Sequence, residues 1–189
     1  MFQSSPAFAF PASPEPLALR AAREIAALLD GGEQVTRSCL NAVLGRVFGG
    51  SDAQGRWRVA DAHAALELAQ VLWLRRIDEL TPTVSAEIAE RHFGRLDALL
   101  PAQTVRSEEQ LELQQFATPP RIAWLAARAA AISAKEILLE PSAGTGMLAH
   151  WGARSAVRLA LNEISPPLLA CTAAVASTPS SRQMSCWPR

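Results

Sequence analysis

The sequence predicts a mixed α/β chain, an all-helical module followed by one βαβ unit that begins a doubly wound parallel sheet. Three observations predict it. Apolar residues recur at three- and four-residue steps through the first hundred positions, the period of amphipathic helices. That period breaks at Glu136-Ile137-Leu138-Leu139-Glu140, a short aliphatic run closed by Pro141 and a glycine turn, which reads as a buried strand. A second run, Ala156 to Leu161, follows after one short helix's length, so the order strand, glycine loop, helix, strand is complete. With apolar residues at 49% and charged ones at 19% of the 189 positions, the chain has the material for a folded core.

The elements follow in order. Met1 to Pro16, interrupted by four prolines and without a basic residue, is expected to be disordered and does not fit a signal peptide. The helical module is expected over 17–106. Its first helix carries Leu17, Ala21, Ile25, Leu28 and Leu29 and stops at Gly31-Gly32. A second helix runs from a Thr36 cap to about Phe48, closed by Gly49-Gly50, and Ser51 to Gly55 has turn composition. A longer helix from about Val59 turns Ala65, Leu68, Leu72 and Ile77 to one side and is broken by Pro82. Ser85 to Leu100 continues in helix with an interruption near Gly94. Ser107 and Gln110 form a capping-box start for Glu108 to Phe116, and Thr118 before Pro119-Pro120 caps another helix with Ile122, Leu125, Ala126 and Ala129 on its apolar face. Residues 107–167 would then open the α/β domain, with a helix over Met147 to about Arg154, and 168–189 reads as an atypical, disordered tail.

Bulk properties narrow the function. The 18 basic side chains equal the 18 acidic ones, so no global field draws a polyanion, although a local DNA-binding patch is compatible with that balance. Cys39, Cys171 and Cys186 are odd in number and far apart, without a CxxC or a Cys/His cluster, which points to reduced thiols and no metal. No apolar stretch reaches the ~20 residues of a membrane span, so a soluble, cytoplasmic protein is expected.

The chemistry concentrates in Glu140-Pro141-Ser142-Ala143-Gly144-Thr145-Gly146. A loop that follows the first strand of a βαβ unit lies at the sheet's carboxyl edge, and Gly144 and Gly146 let a ligand approach the backbone closely. The helix after it directs N–H groups at the same space, suiting a carboxylate or phosphate. Glu163 lies 19 residues after Gly144, at the end of the second strand, where a carboxylate can accept both hydroxyls of an adenosine ribose. The spacing alone leaves the nucleoside open, because Gly144-Thr-Gly-Met-Leu-Ala149 also fits the dinucleotide fingerprint GxGxxA of NAD-binding domains.

The loop resembles the first motif of amino-methylating DNA methyltransferases, and Gln115-Phe116-Ala117-Thr118-Pro119 resembles the motif those enzymes place just before it. More narrowly, Phe48-Gly-Gly-Ser-Asp-Ala-Gln-Gly-Arg-Trp57, QQFATPP, EPSAGTGMLA and LNEISPP together resemble the front end of large bacterial methylase/helicase proteins of the strawberry-notch type, over roughly residues 17 to 167. The resemblance implies an incomplete Rossmann-like, class I methyltransferase unit with S-adenosyl-L-methionine as cofactor. It implies that Phe116, Thr118 and Pro119 close over the methionine end, that Glu140, Pro141, Ala143, Gly144 and Gly146 line the amino-acid end, and that Glu163 grips the ribose. It also implies DNA as a partner of the parent protein.

The family's (D/N/S)PP(Y/F/W) loop, which accepts the N–H bonds of a flipped base's exocyclic amine, follows a later strand. Ser165-Pro166-Pro167-Leu168 is a near miss that comes too early and lacks the aromatic, and no GxxxxGK[ST] loop occurs. No catalytic residue is therefore assigned, and a copy lacking its downstream catalytic and helicase segments is expected. His63, His92 and His150 read as surface or packing residues, and Arg121, Arg128 and Arg154 as a solvated helix face. A purely helical interaction module built on residues 17–100 is the non-catalytic alternative.

Overall fold

The computed structural model describes residues 14–101, 117–133, 135–155, 158–165, 168, 170–172 and 184–186. The chain is mostly helical with a small parallel sheet, a mixed α/β arrangement. In chain order the elements are α1 (Leu17–Asp30), α2 (Arg37–Phe48), α3 (Val59–Arg75), α4 (Ala86–Leu99), α5 (Pro120–Ala130), β1 (Ile137–Glu140), α6 (Met147–Arg154), β2 (Arg158–Leu161) and β3 (Met184–Cys186).

Local chemistry explains most boundaries. The Thr36 hydroxyl accepts the Cys39 N–H at 3.1 Å to open α2, and Gly49, with φ of 76°, closes it in the left-handed region. Ser85 opens α4 in the same way, accepting the Ile88 N–H at 3.3 Å. The turn between α2 and α3 is held by the Gln54 carbonyl oxygen, which accepts the Ser51 N–H at 2.9 Å, and by the Trp57 indole, which donates to the Gly50 carbonyl at 3.1 Å.

Several expectations are corrected. Helix α3 ends at Arg75, well before Pro82, and the Arg154 guanidinium reaches back from α6 to hold the turn that follows, donating to the carbonyls of Ile77 and Asp78, both at 2.8 Å. It also reaches the carbonyl of Arg75 at 3.4 Å, one of those a helix leaves without intrahelical partners at its C-terminus, so Arg154 clamps the helix end and the turn after it and is not part of a solvated face. Helix α4 runs through Gly94 without interruption. Thr118 makes no cap: α5 begins at Pro120 after Pro119, with no side-chain bond to its N-terminus. The buried face of α5 is Ala123, Trp124 and Ala127, while Ile122 and Leu125 stand 53% and 50% exposed. Trp124 decides the rotation, since it offers the largest apolar area and a donor that finds the Thr81 carbonyl at 2.9 Å. Its ring meets Phe93 edge-on at 6.1 Å.

The sheet has the order β1-β2-β3, all parallel, with Ile137 opposite Arg158, Glu140 opposite Leu161 and Leu159 opposite Met184. β3 comes from the tail in which the sequence predicts no element. β1 is an edge strand and is not buried on both faces: Ile137 and Leu139 are 62% and 66% exposed, and only Leu138 turns inward.

The main core joins α1, α2, α3 and α4 through Leu19, Ile25, Leu44, Leu66, Leu74 and Phe93. Helix α6 is the join to the sheet. Met147 and Trp151 enter the helical core, while Ala149 packs with Ala143, Leu159 and Leu161 in a second, smaller cluster. A helix apolar on both sides is one sandwiched between layers, and this position sets the glycine loop, which leads into α6, against α3. Among the described residues no helix is long and apolar enough to cross a membrane.

Candidate ligand-binding site

The glycine loop is tied down along its backbone. Ala143 donates its N–H to the Asn162 carbonyl at 2.8 Å, Asn162 donates back to the Glu140 carbonyl at 2.9 Å, and the Asn162 amide reaches the Pro141 carbonyl at 2.9 Å. Gly144 and Gly146 take φ of 53° and 89°, where a side chain is strained. No atom would lie within 4 Å of a Cβ at Gly144, so backbone conformation is its main demand, whereas a Cβ at Gly146 would come within 3.3 Å of the Thr172 methyl.

Glu163 stands where the sequence places it, just past β2, and is buried. Its two oxygens accept the N–H groups of Gly144 at 2.7 Å and Ser165 at 2.8 Å. The carboxylate thus acts here as the anchor of the glycine loop. Thr172 ties the same residue from the other side, donating its hydroxyl to the Gly144 carbonyl at 2.5 Å. Glu140 accepts the Ser142 N–H at 3.2 Å, which closes a small turn at the strand's end.

A cavity of about 420 Å³ opens between this loop, α3, the end of α4 and the start of α5. It is lined by Glu67 and Gln70 of α3, Asp97 and Leu100, Thr118 and Pro119, and Thr145 and Met147. Two of the predicted residues, Thr118 and Pro119, therefore face the same space as Thr145, which sits between Gly144 and Gly146. Glu140, Pro141, Ala143, Gly144, Gly146 and Glu163 are not in the lining, and among them Glu140, Pro141, Ala143, Gly144 and Glu163 take part in the bonds that hold the loop. Phe116 lies outside the described residues, as do Pro166 and Pro167.

Sequence reasoning missed Glu67 and Gln70. The Thr145 hydroxyl donates to Glu67 Oε2 at 3.3 Å across the cavity wall. Burial pushes the Glu67 carboxyl up to about 7, with the Thr145 bond opposing that rise. Gln70, only 9% exposed, lines the cavity one helical turn further on, and its side-chain amide hydrogen-bonds to none of the described residues. Asp97 is already neutralised by Arg121, which also forks onto Glu90 at 2.6 to 3.0 Å. Among the described residues no basic side chain lines the cavity.

The remaining candidates belong to packing. His92 contacts Glu79 at 2.6 Å, and His150 is buried against Trp151 with ring centroids 4.7 Å apart. Burial, with Arg154 and Arg75 adding repulsion, pulls the His150 imidazole down to about 3. Among the described residues no three metal-ligating side chains come together. No protein-family model, no curated protein and no solved structure matches the chain.

Proposed function

We propose that these residues form part of an S-adenosyl-L-methionine-binding, Rossmann-like methyltransferase domain of the DNA amino-methylating type. One observation carries the reading: Thr118-Pro119 and the glycine loop, separated along the chain by α5 and β1, line or border a single cavity. The resemblance implies that pairing, and neither segment requires it on its own. The parallel order β1-β2-β3 adds support, since the first half of a Rossmann sheet runs 3-2-1 and binds its ligand beyond the carboxyl end of β1.

When bound, the cofactor supplies a sulfonium methyl group. The chain's own contribution is positional: Glu163, Thr172 and Asn162 fix the loop backbone, and α6 directs its N-terminus toward the cavity's edge. The family's base-binding loop is not legible among these 189 residues, so they are expected to bind the cofactor without transferring its methyl group. Calorimetric titration should show binding of S-adenosylmethionine and none of NAD. Preference for NAD would make the loop a dinucleotide site, and silence with both would leave a helical interaction module. Turnover with labelled cofactor and DNA would overturn the non-catalytic part of the reading.

A further inference from the structure

We propose that Glu67 and Gln70, on the cavity-facing side of α3, are ligand-recognising residues that take a positively charged group of the bound molecule. The inference rests on the cofactor reading above and adds to it a contribution from the helical module, which that reading leaves outside the site.

Three features of the cavity point to a cation. Glu67 projects into it from a helix otherwise devoted to the core, next to the buried Leu66 and Leu68. Among the described residues its hydrogen bond comes from the Thr145 hydroxyl alone, which leaves its other carboxylate oxygen without a partner there. Gln70 is nine-tenths buried, faces the same space and has an amide that bonds to no described residue, so it is available to a molecule that enters the cavity. Among the described residues the lining holds two carboxylates and no base, and of those two Arg121 pairs with Asp97. A cation beside Glu67 would offset the desolvation that now holds its proton on. A cavity of about 420 Å³ lies within the range of small-molecule sites.

S-adenosylmethionine carries two such charges, the sulfonium and the α-ammonium, and three ligands separate them. S-adenosylhomocysteine keeps only the ammonium, and methylthioadenosine carries neither. Titrated into the full chain, Glu67→Gln should weaken S-adenosylmethionine by about tenfold or more, the scale of one charge-assisted bond, and leave methylthioadenosine unchanged. Equal weakening of S-adenosylhomocysteine would assign Glu67 to the ammonium, and weakening of S-adenosylmethionine alone would assign it to the sulfonium. Gln70→Leu should weaken the charged ligands in the same order. Glu67→Gln removes a half-buried ionisable group without changing shape, so folding is expected to survive, and circular dichroism checks this. Unchanged affinity for S-adenosylmethionine in both variants, or equal losses for all three ligands, would overturn the inference while the cofactor reading stands. No binding of S-adenosylmethionine by the unsubstituted chain would overturn both.

Discussion

At the scale of single residues, two desolvated titratable groups, the half-buried Glu67 and the buried His150, set opposite pH dependences. Glu67, raised to about 7, keeps its proton in the folded chain at pH values where the unfolded chain has lost it. Folding therefore binds a proton between about pH 4.5 and 7, and stability falls as pH rises through that window, by about 3 kcal/mol at most. His150, lowered to about 3, is neutral in the fold where the unfolded chain is protonated, so its stability contribution is lost as pH falls below 6.5 toward 3. Denaturant titrations across pH 4 to 8 should show Glu67→Gln losing the decline toward neutral pH while the acid limb set by His150 persists. A decline unchanged in the variant would place its origin elsewhere. Glu67 was legible in principle, as the lone charge in Ala64 to Leu74, and an isolated acid in an apolar helix face has to answer for its burial. Glu163 was legible in place but not in bonding, because sequence spacing puts an acid at the strand's end without saying that backbone N–H groups will claim its oxygens.

At the scale of elements, two of the glycines inside helices, Gly94 and Gly152, should respond in opposite ways. A Cβ at Gly94 in α4 meets no atom within 4 Å, so Gly94→Ala should stabilise by up to ~1 kcal/mol through helix propensity alone. Gly152 in α6 lies against the side chains of Leu138 and Leu159, which a Cβ would overlap. Gly152→Val should cost roughly 1–3 kcal/mol, as overpacking does, by forcing the helix off the sheet. Chemical denaturation midpoints decide both, and stabilisation by Gly152→Val would show that α6 does not depend on that close approach. The period of α1 was readable in part: Ala21, Ile25 and Leu29 of its predicted face are buried, while Leu17 at the helix start is exposed. The face of α5 was not, because small alanines beside one tryptophan outweigh two larger aliphatics, a tertiary choice that periodicity does not encode. The end of α3 before Pro82 was likewise not legible, and the turn after it is held from a distance by Arg154.

At the scale of the molecule, α6 makes the helical module and the sheet share their packing, and this is what brings α3 to the glycine loop. Among the described residues the arrangement leaves an apolar surface on Ile122, Leu125, Ile137 and Leu139, each at least half exposed, with β1 at the edge of the sheet. On the proposed reading, segments far apart in sequence form one ligand site. Amide hydrogen exchange with and without saturating S-adenosylmethionine tests this most directly, because bound ligand slows local opening where it sits. Slower exchange is predicted together in the glycine loop at Gly144 to Gly146, around Thr118 and along α3 at Glu67 to Gln70. Exchange that stays unchanged in all three segments, or slows only away from them, would contradict the account.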